Sequence, residues 1–251
     1  MPDRPALQLE SVGLQIGGAR ILHDVSFEVA TGEMVGVIGP NGAGKTTLFN
    51  TISGVMIPTS GRVLLAGDDV TTRKVHQRAR VGLGRTFQTS SVFPGLTSAE
   101  NVRMAAQSKL GGATSPWRFP RRDDGASGVA DRCLAEVELG HHAGTEAGVL
   151  SHGDKRKLEI AMLIATEPEV VLLDEPMAGV GSGDVAGLVE VIRRLHGSGR
   201  TVLMVEHHME VLLGLVDRVA VMHHGELLAI DTPKAVMADP DVQRAYLGET
   251  V

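Results

Sequence analysis

Cysteine is almost absent from this sequence. Cys133 is the only one in 251 residues, so the chain cannot form an internal disulfide and suits a reducing compartment such as the cytosol. We expect this single thiol to be buried and inert. The chain needs no disulfide, because its length allows one large α/β domain, or one core with a substantial insertion, to bury a sizeable apolar core.

Long apolar runs are also missing. No uncharged stretch approaches the roughly 20 residues that a bilayer-spanning helix needs. The opening Met1-Pro2-Asp3-Arg4-Pro5 lacks the basic-then-apolar layout of a signal peptide. We therefore expect a chain that is soluble by itself.

Positive charge is in deficit. The chain has 24 Lys and Arg against 30 Asp and Glu, a net charge of −6. It has no global basic field, so no nucleic-acid partner is expected. Two local basic runs, Arg78-Ala79-Arg80 and Arg121-Arg122, are interpreted as solvated surface, with a local nucleic-acid patch as the alternative.

What the sequence does have is a glycine-rich run between an apolar strand, residues 34–38, and a helical pattern, residues 46–50. The run has the form G-x-x-x-x-G-K-T, and in this order backbone N–H groups and a helix N-terminus face nucleotide phosphates. Lys45 is expected to reach the β- and γ-phosphate oxygens, and Thr46 to offer its hydroxyl to Mg²⁺. The residues predicted to bind ATP or GTP are Gly39, Pro40, Asn41, Gly42, Ala43, Gly44, Lys45, Thr46 and Thr47.

Two carboxylates follow a second apolar strand. The run from Val170 to Leu173 leads into Asp174 and Glu175, at a strand end where open α/β sheets bind ligands, and it looks like a Walker B motif. We expect Asp174 to hold Mg²⁺ and Glu175 to orient and deprotonate the water that attacks the γ-phosphate. The alternative is a surface acidic pair that ends a strand.

Strand and helix patterns alternate along the chain. Strands are predicted at 7–10, 25–29, 34–38, 62–65, 169–173, 201–205 and 218–222, the last turning through Gly225 into 227–230. A capping box from Thr97 to Glu100 begins a helical insertion, and further helices are predicted near 129–139 and 184–195. Residues 111–128 are interpreted as an exposed, mobile connection.

Leu150-Ser151-His152-Gly153-Asp154 resembles the signature motif of ABC ATPases, whose commonest form is L-S-G-G-Q. The resemblance implies that Ser151, Gly153 and the helix N-terminus behind them close over ATP held by a second subunit. His152 and Asp154 depart from the commonest form, and Asp154 would bring a carboxylate near an anion. For the five residues in isolation, the alternative is a plain helix cap.

The same resemblance assigns roles to scattered positions. Gln88 corresponds to the glutamine that touches Mg²⁺ and the attacking water and links to the membrane subunit. His207 corresponds to the switch histidine, which contacts the γ-phosphate. Ile16 stands where the family usually stacks adenine on an aromatic ring, a substitution that gives up about 1 kcal/mol of stacking. Gly181 replaces the usual aspartate of the D-loop.

The fold implied by the resemblance is α/β, a P-loop NTPase of the ABC ATPase type. It has an antiparallel β-subdomain and an inserted α-helical signature subdomain. The expected division is 1–87 for the first part of the ATP-binding core, 88–166 for the helical insertion, 167–225 for the rest of the core, and 226–251 for a hairpin strand and tail.

A closer resemblance is to ATPases of branched-chain amino acid importers and of their urea or amide relatives. It depends on the run 39–50, the signature with 157–161, the segment 175–180 and the ending 239–249, whose alternative is an amphipathic helix of no special function. It implies ATP and Mg²⁺ as cofactors, a second ATPase subunit (homo- or heterodimer), two integral membrane permeases and, indirectly, an extracytoplasmic solute-binding protein. The implied location is peripheral, on the cytoplasmic face of the inner membrane.

Two other functions fit the sequence less well. A soluble ABC ATPase acting on nucleic acid or ribosomes would need long coiled coils or two fused ATPases, and the chain has neither. An adaptor that binds nucleotide without hydrolysing it is opposed by Glu175 and His207. The histidine pairs 141–142, 207–208 and 223–224 are expected to be poor chelates, because neighbouring side chains on a helix or strand point apart.

Overall fold

The computed structural model describes residues 4–86, 91–110 and 125–247. Its contacts group into two compact units, one of Met1–Arg85, Glu169–Glu175 and His196–Val251, the other of Thr86–Pro168 and Pro176–Leu195. The predictions for Gln88 and for residues 111–124 lie outside the described residues.

In chain order the strands and helices are β1 (Leu7–Ile16), β2 (Ala19–Val29), β3 (Met34–Ile38), α1 (Lys45–Ser53), β4 (Ser60–Leu65), β5 (Asp68–Asp69), α2 (Val75–Arg80), β6 (Leu83–Arg85), α3 (Ser98–Leu110), α4 (Gly125–Glu136), α5 (His152–Ile164), β7 (Val170–Asp174), α6 (Ser182–Gly197), β8 (Thr201–Val205), α7 (Met209–Leu213), β9 (Arg218–His223), β10 (Glu226–Asp231), α8 (Pro233–Ala238) and α9 (Pro240–Leu247).

The first unit contains a six-stranded sheet in the order β10-β9-β3-β8-β7-β6. Every pair is parallel except β10 with β9, the predicted hairpin. β3, β7 and β8 are buried along their whole length, as expected of strands covered on both faces. The α/β prediction is confirmed, and the carboxyl ends of these three strands meet at one edge of the sheet.

A second sheet of the same unit is antiparallel, in the order β2-β1-β4-β5. Its register places Leu7 opposite Val29 on one side and opposite Leu65 on the other, and all three side chains are buried. The antiparallel β-subdomain that the sequence implied is therefore present.

The second unit is helical. α3, α4 and α5 pack through residues that include Val102, Leu134 and Leu158, all fully buried. At the start of α3 the Glu100 N–H donates to Thr97 Oγ1 at 3.2 Å, and the Thr97 N–H donates to Glu100 Oε2 at 2.8 Å. This confirms the predicted capping box, and its hydrogen bonds lower the pKa of Glu100.

Helix α4 corrects two predicted boundaries. It begins at Gly125, so the last four residues of the expected connection 111–128 are helical. It ends at Glu136 rather than 139, and Glu138 takes a left-handed backbone with φ 62°. Cys133 lies on its buried side, as expected. Helices α2 and α7 and strand β6 were not predicted, because runs of three to six residues carry too little periodicity.

In the basic run 78–80, Arg80 is exposed as expected, but Arg78 contradicts the interpretation as solvated surface. Its side chain is fully buried at the carboxyl end of α1, where Nη1 donates to Thr51 O at 2.7 Å and Ile52 O at 2.6 Å. Burial lowers its pKa to about 10. The guanidinium satisfies carbonyl groups that a helix end leaves without partners, which explains why a charge is placed there.

The histidine pairs were also partly misjudged. The rings of His141 and His142 have centroids 4.1 Å apart, and those of His223 and His224 are 4.0 Å apart, so they do not point away from each other. The first pair lies in a 3₁₀ turn and His224 has φ 46°, so neither follows regular strand or α-helix geometry. Among the described residues, no group of three potential metal-ligating side chains converges.

Candidate functional site

The predicted phosphate-binding loop connects β3 to α1, at the carboxyl edge of the parallel sheet. Gly44 stands immediately before the helix with φ 98°, a conformation that disfavours any side chain. Gly39 has no room for one, because an added Cβ would lie 2.2 Å from the carbonyl oxygen of Met222. The strand–loop–helix order predicted from the sequence is thus reproduced.

Lys45, the first residue of α1, is buried. Its Nζ donates to Gly39 O at 2.5 Å and to Pro40 O at 2.9 Å, which holds the ammonium group against the loop. Burial lowers the Lys45 pKa, and the negative charge of Glu175 opposes that effect. The charge of Glu175, the predicted base, therefore acts on the ammonium group of Lys45, the predicted phosphate ligand.

The two predicted acidic residues lie at the end of β7. Asp174 is 2% exposed and accepts a hydrogen bond on Oδ2 from Arg85 Nη2 at 2.8 Å. Glu175 follows with φ 49°, an unfavourable conformation for a residue with a side chain, and its N–H donates to Val205 O at 2.9 Å. Such strained positions concentrate at functional sites because the surrounding structure must enforce them.

His207 lies beside Glu175. Its Nε2 is 3.0 Å from Glu175 Oε1, and half of its side chain is exposed. The preceding residue, buried Glu206, fixes the turn, since its Oε1 accepts the N–H of His207 at 2.9 Å and the N–H of His208 at 3.2 Å. Glu206 and Arg85 were not among the predicted site residues, because their only signal in the sequence is a charged residue at the end of a short strand.

Ile16 is the last residue of β1 and is 49% exposed. It precedes Gly17 and Gly18, which have φ 54° and 90° and form the turn into β2. The side chain therefore presents an apolar surface to solvent, as a residue that covers one face of a base would.

Two of the predicted Mg²⁺ ligands, Thr46 and Asp174, lie within the described residues, and each offers side-chain oxygen that can bind a metal ion. Thr46 is exposed at the start of α1, and Asp174 stands at the end of β7. Hard oxygen ligands suit Mg²⁺, which usually takes one or two protein ligands and completes its shell with phosphate oxygens and water. The donor set therefore fits Mg²⁺ bound together with a nucleotide. Gln88, the third predicted ligand, lies outside the described residues.

The signature residues lie in the second unit, at the start of α5. Ser151 is the N-cap, with Oγ accepting the Asp154 N–H at 3.0 Å and donating to Asp154 Oδ2 at 3.0 Å. Gly153 faces Asp184 of α6 so closely that an added Cβ would lie 2.6 Å from the Asp184 Cβ. His152 is exposed beside it. Ser151 therefore caps the N-terminus of α5, and Asp154 is its hydrogen-bond partner.

The structure thus brings the loop 39–47, Asp174, Glu175 and His207 together in the first unit, which also carries Ile16. Residues 151–154 form a separate cluster in the second unit. Within the described ranges, no helix combines the length and apolarity needed to cross a membrane.

Two sequence-family profiles match the chain. The one described as ABC transporter covers residues 22–178, and the one described as branched-chain amino acid ATP-binding cassette transporter covers residues 226–251. The first includes the phosphate loop, the acidic pair and the signature.

Similar proteins match over nearly the full length. The high-affinity branched-chain amino acid transport ATP-binding protein LivG of Escherichia coli is 37% identical, covering 98% of this chain and 99% of its own. Its counterpart BraF of Pseudomonas aeruginosa is 36% identical with the same coverage. A crystal structure of the ADP conformation of an ATP-binding cassette of an ABC transporter matches with TM-score 0.85 and 29% identity, over 97% of this chain and 99% of that one.

Proposed function

The chain belongs to the ABC transporter family, within the group of ATP-binding proteins for branched-chain amino acid transport, and we propose that it powers uptake of branched-chain amino acids. It is an ATP-hydrolysing transporter subunit. Urea or short amides are the alternative cargo, because solute does not touch this kind of subunit. The convergence of Lys45, Glu175 and His207 at one sheet edge supports ATP hydrolysis, and the match of residues 226–251 to the branched-chain amino acid profile supports the cargo.

In the proposed mechanism the loop 39–47 binds the phosphates of ATP. Its N–H groups and the N-terminus of α1 supply positive potential, and Lys45 turns from the loop carbonyls to the β- and γ-oxygens. Ile16 covers one face of the adenine. Mg²⁺, when bound by Thr46, Asp174 and Gln88, neutralises charge that develops on the phosphate oxygens.

Glu175 is the proposed general base. Its carboxylate orients the attacking water and takes its proton, while His207 holds that carboxylate and contacts the γ-phosphate. Gln88 is assigned to the same water from the family resemblance. The fixed backbone at Glu175 and the Glu206 hydrogen bonds to the turn keep the two side chains in register, so little reorganisation is needed during the reaction.

A second ATPase subunit completes each site in this proposal. ATP held by the loop of one chain is covered by four residues of the other chain, Ser151, His152, Gly153 and Asp154. Hydrolysis then reopens the dimer. The partner is a second copy or a related chain. The division into a core of 1–87 and 167–225, a helical insertion of 88–166 and a tail of 226–251 belongs to the same proposal.

Two permeases are the proposed membrane partners, with a solute-binding protein on the far side and this chain on the cytoplasmic face of the inner membrane. Phe93 is 49% exposed and lies next to Pro94, whose carbonyl accepts the Gly148 N–H at 2.9 Å. Val92 and Pro94 also line a cavity of about 550 Å³ in the second unit, whose other lining residues include Lys155, Arg156 and Glu159. The apolar side chains of Val92, Phe93 and Pro94 would contact a short permease helix, and the charged lining would contact its polar groups.

Replacing Phe93 with Asp tests this contact. The isolated variant should hydrolyse ATP as the wild type does, but ATPase stimulation by permeases in membranes should be lost. Met237→Asp is the matched control, because Met237 is similarly exposed in the first unit. Normal coupling in Phe93→Asp would contradict the proposed docking surface.

Purification of the chain from its own membranes in mild detergent tests the assembly. Two multi-span permeases and a second ATPase identified by mass spectrometry would support the importer, and the ligand of an associated binding protein would identify the cargo. Recovery of only ribosomes or nucleic acid would favour the soluble alternative and leave the nucleotide chemistry in place.

A further inference from the structure

Arg85 and Asp174 occupy neighbouring strand ends. β6 and β7 are parallel, with Arg85 opposite Leu172, so the last residue of β6 and the last residue of β7 both lie at the carboxyl edge of the sheet. Their side chains are 8% and 2% exposed. A buried charge of either sign is costly without a partner, so each side chain there depends on the other.

The Arg85 guanidinium joins two elements. Nη2 donates to Asp174 Oδ2 at 2.8 Å, while Nη1 donates to Asn50 Oδ1 at 2.8 Å and to Ser53 Oγ at 2.7 Å. Asn50 and Ser53 belong to α1, the helix that follows the phosphate loop. One rigid, planar group therefore fixes the carboxylate of β7 relative to this helix.

The helix face that Arg85 contacts also carries a proposed metal ligand. Thr46, Asn50 and Ser53 are spaced by four and three residues, so they lie along one side of α1. Mg²⁺ demands nearly ideal octahedral geometry, so its protein ligands must be held at a fixed separation. Arg85 links the element that supplies Thr46 to the residue that supplies Asp174.

We propose that Arg85 is a positioning residue for the metal: it sets the relation between the Thr46 hydroxyl and the Asp174 carboxylate. This inference rests on the proposed function, because it assumes that these two residues hold Mg²⁺. A purely structural ion pair would stabilise the fold without changing metal affinity. The two roles are separable by measurement.

Arg218 and Glu33 supply the comparison. Arg218 Nη2 donates to Glu33 Oε2 at 3.0 Å, in the same unit and at the opposite, amino-terminal edge of the sheet, where Glu33 precedes β3 and Arg218 begins β9. Lysine keeps the charge of arginine, but its single nitrogen lacks the planar fork with which arginine reaches separate acceptors through two nitrogens. Arg85→Lys and Arg218→Lys are therefore matched changes, of which only the first touches the proposed metal ligands.

The test is Mn²⁺ binding in the presence of ADP, followed by electron paramagnetic resonance, with metal-free ADP affinity and thermal midpoint measured on the same samples. For Arg85→Lys we expect ADP affinity without metal within about twofold of wild type and Mn²⁺ affinity lowered about tenfold or more, as for residues that orient metal ligands. Arg218→Lys should lower the thermal midpoint and leave Mn²⁺ affinity unchanged.

A second variant keeps the test decisive if Arg85→Lys does not fold. The double change Asn50→Ala with Ser53→Ala removes the helix contacts and leaves the Arg85–Asp174 pair intact, and it should lower Mn²⁺ affinity several-fold. Mn²⁺ binding equal to wild type in whichever of these variants fold would overturn the positioning role. Failure of the wild type to bind ADP and Mn²⁺ would instead overturn the nucleotide site itself, and the role of Arg85 with it.

Discussion

The Nε2 atom of His207 lies 3.0 Å from Oε1 of Glu175, although 32 residues separate them in the chain. The contact arises because β7 and β8 are adjacent parallel strands, and each delivers its polar residue just beyond its carboxyl end. The Glu175 N–H also bonds to Val205 O, which ties the two strand ends together. The proposed base and the histidine beside it are thereby placed on a rigid support.

Glu175→Gln should slow ATP turnover about 100-fold or more, because the amide keeps the shape and the contact with His207 but cannot accept a proton. ATP should remain bound long enough to be recovered with the protein after rapid gel filtration. Turnover is followed by release of inorganic phosphate. Hydrolysis at a near-normal rate would remove Glu175 from the role of main base.

His207→Ala should lower turnover by a comparable factor, and the double variant with Glu175→Gln should lose little more, because residues that act as one unit are strongly non-additive. His208→Ala is the control. That ring bonds Glu206 at 2.8 Å rather than Glu175, so turnover should stay within about threefold of wild type. Fully additive losses would show that the two groups work independently.

Ile16→Tyr should tighten ATP binding about fivefold, because an aromatic ring restores roughly 1 kcal/mol of stacking on the base. The turnover rate at saturating ATP should not change, since the adenine is remote from the reacting phosphate. Calorimetric titration measures the affinity. Val55→Tyr, at another exposed apolar position, controls for general stickiness. Equal ATP affinity in Ile16→Tyr and wild type would show that the adenine does not contact residue 16.

Asp154→Asn should strengthen ATP-dependent dimerisation about tenfold. The Ser151 hydroxyl now donates to the Asp154 carboxylate, a group that would repel an approaching γ-phosphate, and asparagine keeps a cap without the charge. The Glu175→Gln background prevents hydrolysis during analytical ultracentrifugation. The gain should shrink at high salt, because it is electrostatic. An unchanged dimer constant would show that Asp154 turns away on closure.

Glu33→Gln should lower stability at neutral pH by about 1 kcal/mol, since Glu33 accepts hydrogen bonds from Arg218 and from the Ala30 N–H. Burial alone would raise the Glu33 pKa, but these hydrogen bonds outweigh it and lower the pKa below 4.5. The advantage of wild type is thus fully present above pH 4.5 and disappears as pH falls through the lower, folded value. Urea unfolding of both proteins between pH 3 and 7 measures it, and a pH-independent difference would contradict the linkage.

Local patterns allowed the sequence to predict most of the secondary structure. The phosphate loop is a contiguous run whose glycines and lysine act within one strand–loop–helix unit, and the Thr97–Glu100 capping box spans four residues. Such features depend on residues close together in the chain, so their geometry follows from spacing alone. The helix boundary at Gly125 was missed because a glycine-rich stretch weakens the helical signal.

Local sequence patterns are sufficient to predict a phosphate loop, an acidic strand end and an N-cap on the predicted signature helix. Which charges are buried, and which groups they hold, depends on how distant segments pack. The sequence predicts Arg78 at the surface, yet its guanidinium bonds the carbonyl groups of α1 residues that lie 27 and 26 positions away in the chain. Arg85 likewise bonds Asp174, which is 89 positions away. These two charges can be buried because distant segments supply compensating hydrogen bonds, and no local pattern encodes those contacts.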